Sequence, residues 1–239
     1  MPKPLNIQIK PLTAWSFSRY NDYRQCPAKF KYKHLLKLPE PGSEALDRGA
    51  AIHTLAEEFI RGQHARLPIE LATFDDELKA LKKLYKKDPS AVIVEDNWAM
   101  TRGWERTEWN NWNLCWVRIK LDCAVFESPT RMRIRDWKTG KLRSELHEEY
   151  LEQLSLYALA ALLLYPELEE VCPELDYLDL GLVYPETQLR YTRSDVSRLQ
   201  ATWEKRVAPM FKDKAFAPRV NDKCRFCHYR AGNQGPCKY

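Results

Sequence analysis

The chain has 239 residues, 44% of them hydrophobic and 30% charged, with a formal net charge of +5. This is the composition of a globular protein with one sizeable core. No apolar run is long enough to span a membrane as a helix; Leu159-Ala160-Ala161-Leu162-Leu163-Leu164 is too short. The mild positive charge suits a nucleic-acid partner without requiring one. The start, Met1-Pro2-Lys3-Pro4, has no apolar signal core, which leads us to expect a cytoplasmic protein. Seven cysteines in such a compartment point to a metal or cluster site before a disulfide framework.

In chain order, residues 1–12 read as a Pro-rich extended arm. A first helix is expected from Ser16 or Ser18, either of which can cap it, to Cys26-Pro27. A basic helical stretch follows over 28–38, closed by Pro39-Glu40-Pro41-Gly42. The segment 49–62 is amphipathic, with Ile52, Leu55, Ala56 and Phe59 on its apolar face. Another helix is expected over 74–87, with Leu78, Leu81 and Leu84 apolar. Ala91-Val92-Ile93-Val94-Glu95 opens a strand-rich centre that also holds five of the tryptophans. Strands are expected over 116–122 and 131–138, a strong helix over 147–165, and a buried strand over 177–184. A short partner is expected over 188–192, then a last helix over 194–211 capped by Ser194. Helices, strands, then alternating elements predict an α/β fold around a central mixed sheet flanked by helices. The expected organisation is one unit over 1–239. It comprises an N-terminal helical part (16–90), a core (91–212) and a Cys-rich tail (213–239).

Chemistry concentrates in Asp136-Trp137-Lys138-Thr139-Gly140-Lys141 and in Asp122 before it. A strand, a short turn and a second strand bring Asp122 to Asp136 and Lys138. Asp136 and Lys138 share one face because strand side chains alternate. Two carboxylates and an ammonium are what metal-assisted phosphodiester cleavage needs. Each of these residues also has a plainer reading. Asp122 would be a strand residue paired with Arg118 or Lys120, and Asp136–Lys138 an ion pair on an edge strand. His53, beside Glu57 and Glu58, would be a surface histidine. Gln153 and Tyr157 share a helix face with the core stripe Leu154, Ala158 and Leu162, so Tyr157 would be core with Gln153 exposed.

Taken together and in order, these segments resemble the PD-(D/E)xK nuclease superfamily, in its RecB-like branch. The elements are Gly49-Ala50-Ala51-Ile52-His53, Asp122, Asp136-Trp137-Lys138-Thr139-Gly140-Lys141 and Gln153-Leu154-Ser155-Leu156-Tyr157. The resemblance implies His53, Asp122 and Asp136 as ligands of Mg²⁺ or Mn²⁺, with the Trp137 carbonyl a further ligand. It implies Lys138 as the catalytic lysine, Gln153 and Tyr157 beside the active site, and Glu95 as a lesser candidate. Where the family carries a Gly and an Arg around its first aspartate, this chain has Ile119-Lys120 and Cys123.

The tail carries Cys224-Arg225-Phe226-Cys227-His228 and Gly235-Pro236-Cys237. Three cysteines leave a tetrahedral site one ligand short, and His228 is an alternative donor in a zinc site. The iron–sulfur members of the RecB-like branch, such as the AddB nuclease domain and the CRISPR adaptation nucleases, take their remaining ligand from a Cys-Pro after the first helix. Cys26-Pro27 is similar. The resemblance therefore implies a [4Fe–4S] cluster on Cys26, Cys224, Cys227 and Cys237, with zinc the alternative. Cys115, Cys123 and Cys172 read as structural.

Arg19, Tyr20, Arg24, Lys29, Lys31, Tyr32, Lys33 and Lys37 interleave charge with rings, which suits either a strand-tracking groove or a solvated helix face. The expected function is a Mg²⁺- or Mn²⁺-dependent deoxyribonuclease. Such an enzyme would act as an exonuclease on DNA ends or single strands, in recombination, repair or CRISPR-like adaptation, alone or with a helicase or adaptation partner. The alternative is a non-catalytic DNA-binding module, or a nuclease subunit of a larger complex, with a structural zinc or iron–sulfur site.

Overall fold

The computed structural model describes residues 11–142, 147–184 and 188–239. Its centre is a mixed sheet in the order β1 (Val92–Met100), β2 (Val117–Ser128), β3 (Arg131–Lys138), β4 (Glu170–Tyr177) and β5 (Leu182–Tyr184). A short β6 (Tyr191–Thr192) also pairs with β4. The β1–β2 and β2–β3 pairs are antiparallel, and β3–β4 is parallel. A parallel step needs a crossover, which α5 (His147–Leu164) supplies.

Helices cover both faces of the sheet, as the composition and element order predict. On one face α1 (Phe17–Gln25), α5 and α6 (Val196–Lys212) bury Trp15, Tyr20, Leu159 and Trp203 against Ile119, Leu121, Met132 and Ile134. On the other, α3 (Glu44–Ile60) and α4 (Asp75–Lys87) bury Ile52, Phe59, Leu78 and Leu81 against Val92, Val94, Cys123 and Trp137. Along β2, Ile119 and Leu121 face the first layer, yet Cys123 faces the second and Ala124 the first. The side-chain alternation therefore resets at Asp122. It resets likewise in β1 at Glu95, whose backbone is left-handed at φ 47°. Pairs on either side place Glu95 opposite Asp122. Left-handed backbone at a non-glycine costs on the order of 1–3 kcal/mol and gathers at functional sites.

Several expectations need correction. Ser16 caps α1 by accepting from the Arg19 N–H at 3.4 Å, as expected. The next stretch is helical to Leu35, as α2 (Pro27–Phe30) and then a π-helix over Lys31–Leu35. The helix α3 begins at Glu44, five residues before Gly49. The strand expected over 177–184 does not exist as one element. The chain finishes β4 at Tyr177, turns with Gly181 at φ 62°, and pairs back as β5. Pro173 and the acids of β4 disguised it. Pro173 sits between the β6 and β5 pairings, where a missing N–H breaks no ladder on that edge. The acids Glu170, Glu174 and Asp176 meet Arg131, Arg133 and Arg135 of β3 at 3.1, 2.6 and 2.6 Å. Of the expected 188–192 strand only Tyr191–Thr192 forms. Thr192, through a capping box with Asp195, replaces Ser194 as the cap before α6. Residues 1–10 of the expected arm lie outside the described residues. Among the described residues, no helix is long and apolar enough to cross a membrane.

Candidate active site

Four elements converge on one spot. One turn before His53, Gly49 lies against the turn after β3: a Cβ there would stand 3.2 Å from Thr139 Oγ1. That turn needs a glycine at Gly140, where φ is 87°. The Gly140 N–H donates to Asp179, which also takes the Arg48 guanidinium in a two-pronged bond at 2.7 and 2.8 Å. Residues from α3, from the β3 turn and from the β4–β5 turn thus fix where His53 enters.

His53 Nδ1 lies 3.4 Å from both Glu95 Oε1 and Asp122 Oδ1. Its Nε2 is 3.1 Å from the Trp137 carbonyl oxygen. Asp122 Oδ2 accepts from the Trp137 N–H at 2.8 Å. Ligand atoms of His53, Glu95 and Asp122 all fall within 4.8 Å of one another, so the three could hold a metal ion. Glu95 Oε1 is buried with the His53 imidazole beside it, which leaves acceptor capacity aimed into the site. Burial pulls the His53 imidazole down. Its hydrogen bonds to Asp122 and Glu95, and their charges, outweigh that and push it up to about 10. A proton on His53 thus answers charge that a divalent cation would also answer. The site's donors, two carboxylates, an imidazole and a carbonyl, fit a hard divalent ion.

Asp136 stands next to that set and turns toward a second group. Its Oδ2 is 2.5 Å from Lys138 Nζ, and its Oδ1 accepts from Gln153 Nε2 at 3.2 Å. The Gln153 carbonyl accepts from Lys138 at 3.3 Å, and the Gln153 amide donates to the Tyr157 hydroxyl at 2.7 Å. Gln153 therefore touches all three neighbours and is not an exposed bystander. Burial, with the Asp122 charge beside it, raises the Asp136 carboxyl, while Lys138 opposes that rise. Burial would lower Lys138, but the Asp136 carboxylate prevails and keeps it raised. Burial lifts the Tyr157 hydroxyl well above its usual value, aided by the charges of Asp136 and Asp122. The sequence pattern ranked Glu95 low, yet it is a full member of the metal-type set. Its signal was an acid directly after the apolar run Val92-Ile93-Val94. Tyr150 was missed outright; its ring lies 5.1 Å from Lys138 Nζ.

The site opens into a cleft of about 610 Å³ lined by Lys138, Gln153, Tyr157, the start of α1, Trp109, Arg118 and Lys120. Only part of the expected basic face reaches it. Tyr20 is buried in the core. Arg24 pairs with Glu152 at 2.6 Å, and Lys29 and Lys33 pair with Asp22 at 3.0 and 3.4 Å. Of the clustered tryptophans, Trp98, Trp104 and Trp116 are core, whereas Trp112 is 56% exposed.

Away from this cleft, Cys26, Cys224, Cys227 and Cys237 line one pocket together with Lys29, Arg219 and Arg230. Cys26 Sγ accepts from the Arg219 N–H and Cys224 Sγ from the Asn221 N–H, each at 3.4 Å. Cys115, Cys123 and Cys172 are buried elsewhere.

A family model described as the PD-(D/E)XK nuclease superfamily matches residues 14–231. The chain belongs to that superfamily, whose members are nucleases that use divalent metals. A search of curated proteins finds no significant match. Among solved structures, the crystal structure of SSO0001 is similar at 13% identity and a TM-score of 0.44, over 97% of this chain and 90% of that one. An Eubacterium rectale protein described as a "putative exonuclease" is similar at 11% identity and a TM-score of 0.50, over 90% and 88%. Likeness at such identity concerns the fold alone.

Proposed function

We propose that this nuclease hydrolyses DNA, acting as an exonuclease on free ends or single strands. The observation that carries the proposal is the convergence of His53, Glu95 and Asp122 directly beside Asp136, Lys138 and Gln153. His53, Glu95 and Asp122 would hold Mg²⁺ or Mn²⁺, with Asp136 and the Trp137 carbonyl at its margin. The bound ion would supply Lewis-acid polarisation of the phosphate and stabilise the leaving oxygen. Lys138, held by Asp136 and Gln153, points its ammonium into the cleft. It orients the attacking water and offsets charge that builds on the phosphate. Gln153 keeps Lys138, Asp136 and Tyr157 in one arrangement, a positioning role. Zinc-type chemistry at this spot is disfavoured by the oxygen-rich donor set.

The proposal extends to a [4Fe–4S] cluster on Cys26, Cys224, Cys227 and Cys237. Four sulfurs around one pocket, N–H donors to two of them, and cationic neighbours all suit an anionic thiolate cluster. The group would fasten α1–α2 to the tail. Work in recombination, repair or CRISPR-like adaptation, with a helicase or adaptation partner, fits such an enzyme.

The test is degradation of end-labelled single- and double-stranded DNA with Mg²⁺ or Mn²⁺, comparing the wild type with Lys138→Ala. Cleavage should fall by about 10²–10⁴-fold in the variant, the scale of losing one charge-stabilising or proton-managing group. Equal cleavage by both proteins would remove Lys138 from the mechanism. No cleavage by the cluster-loaded wild type would remove the DNase reading.

A further inference from the structure

Beyond the catalytic groups, the cleft has a wall whose charge is not answered within the protein. Arg19, Arg118 and Lys120 all line it. Among the described residues none of these three pairs with a carboxylate. The acids that share the cleft are already engaged: Asp22 by Lys29, Lys33 and His34, and Glu149 by Asn21 and Arg24. The Arg19 guanidinium donates to the Ala14 carbonyl at 3.1 Å. Burial lowers its guanidinium, and the nearby positive charge of Arg118 lowers it further. Two like charges held close without a counter-ion favour a bound anion.

Arg118 is also fixed in an aromatic bracket. Its guanidinium carbon lies 3.6 Å from the Trp112 ring centroid and 4.7 Å from that of Trp109. Its nitrogens donate to the Trp109 carbonyl and to Cys115 Sγ. This holds the guanidinium within cation–π range of two indoles. Trp112, against the cleft residue Arg118, remains 56% exposed and its neighbour Leu114 57%. The first turn of α1, Ser16 to Arg19, forms the adjoining rim.

We propose that Trp112, Trp109 and Arg118, with Arg19 and Lys120, form a guide for single-stranded DNA that leads the strand to Lys138. Bases stack on the exposed Trp112 face, and phosphates lie on Arg19, Arg118 and Lys120. A duplex presents its bases edge-on and already stacked, so it gains the phosphate contacts but not the ring contacts. The guide therefore selects for single-stranded over double-stranded substrate. This rests on the reading of the chain as a DNA nuclease and specifies which strand it prefers.

The experiment is fluorescence anisotropy of a labelled oligothymidylate and of a labelled hairpin duplex, in EDTA so that no cleavage occurs. Trp112→Ala should weaken oligothymidylate binding by about 5- to 150-fold, the cost of losing one base–ring stack, with a much smaller change for the duplex. Lys120→Ala should lower the dependence of log affinity on log salt by roughly 0.7 for the single strand. Ile69→Ala, which removes another exposed apolar side chain outside the cleft, should change neither. Equal single-strand affinity for Trp112→Ala and wild type overturns the guide, as does an equal loss on both substrates. Hydrolysis of a small phosphodiester by the wild type with Mn²⁺ tests the nuclease reading separately. If that hydrolysis occurs while Trp112→Ala binds normally, the guide fails and the nuclease stands.

Discussion

The candidate catalytic cluster and the cysteine pocket are built in opposite ways. His53, Glu95, Asp122, Asp136 and Lys138 project from a long helix and three paired strands. Their positions are fixed by ladders and core packing before any ion arrives. Cys224, Cys227 and Cys237 lie in a tail of short turns with little apolar burial, apart from Phe216 at 8% and Tyr229 at 3% exposure. That tail reaches α1–α2 through Cys26 and through bonds such as Tyr229 to the Leu38 carbonyl at 3.1 Å and Asn221 to the Gln25 carbonyl at 3.1 Å. A site in the sheet can therefore be disabled without loosening the fold. A tail site that holds the proposed cluster would depend on it for its shape, so disabling it should release a piece of the fold.

The comparison breaks most visibly if each site is cut in turn. Cys224→Ser should lower the unfolding midpoint by about 10 °C, on the order of 4 kcal/mol for opening a closure that spans nearly the whole chain. It should also bleach any absorbance near ~400 nm that a thiolate-bound iron cluster gives. Asp122→Asn should instead abolish metal-dependent cleavage while moving the midpoint by only a few degrees. Paired thermal melts and cleavage assays check both, and equal destabilisation by the two variants would erase the distinction.

A smaller effect sharpens the same contrast within the sheet site. Gly140→Ala places a side chain at φ 87°, which should cost about 1–2 kcal/mol. Because Gly140 anchors through Asp179 to Arg48, activity should fall more than stability does. Denaturant midpoints set against cleavage rates would show this, and a purely proportional loss would count against it.

The smallest effect concerns pH at the boundary between the two regions. Burial would raise the Asp22 carboxyl, but bonds from His34 and Lys29 and the charge of Lys33 hold it well below its usual 3.8. A carboxylate depressed in the folded state contributes stability above its unfolded value, and loses it as pH falls below about 3.8. Asp22→Asn should therefore lower stability at pH 6 and leave a shallower acid limb below pH 4. Denaturant titrations across that range would reveal it, and parallel acid limbs would rule it out.

Much of the candidate site was legible in the chain because its residues follow local rules. The Asp136–Lys138 spacing puts both on one strand face, the Gln153–Tyr157 spacing puts both on one helix face, and Gly140 marks a turn only glycine fits easily. The helical spacing of Ile52, Ala56 and Phe59 likewise revealed α3. What could not be read depended on partners distant in sequence. The strand β4 looks unlike a strand until Arg131, Arg133 and Arg135 answer its acids across a parallel pairing. Glu95 looks like a stray acid until the register sets it opposite Asp122 and its left-handed backbone turns it toward His53. Arg24, Lys29 and Lys33 look like a DNA-binding face until Glu152 and Asp22 neutralise them, which leaves Arg19, Arg118 and Lys120 of the cleft without a carboxylate partner among the described residues. The sequence by itself determined the element types and the chemistry on offer, since periodicity and side-chain identity are local. Only the tertiary structure decided which charges cancel and which remain, because that depends on distances between strands and helices far apart in the chain.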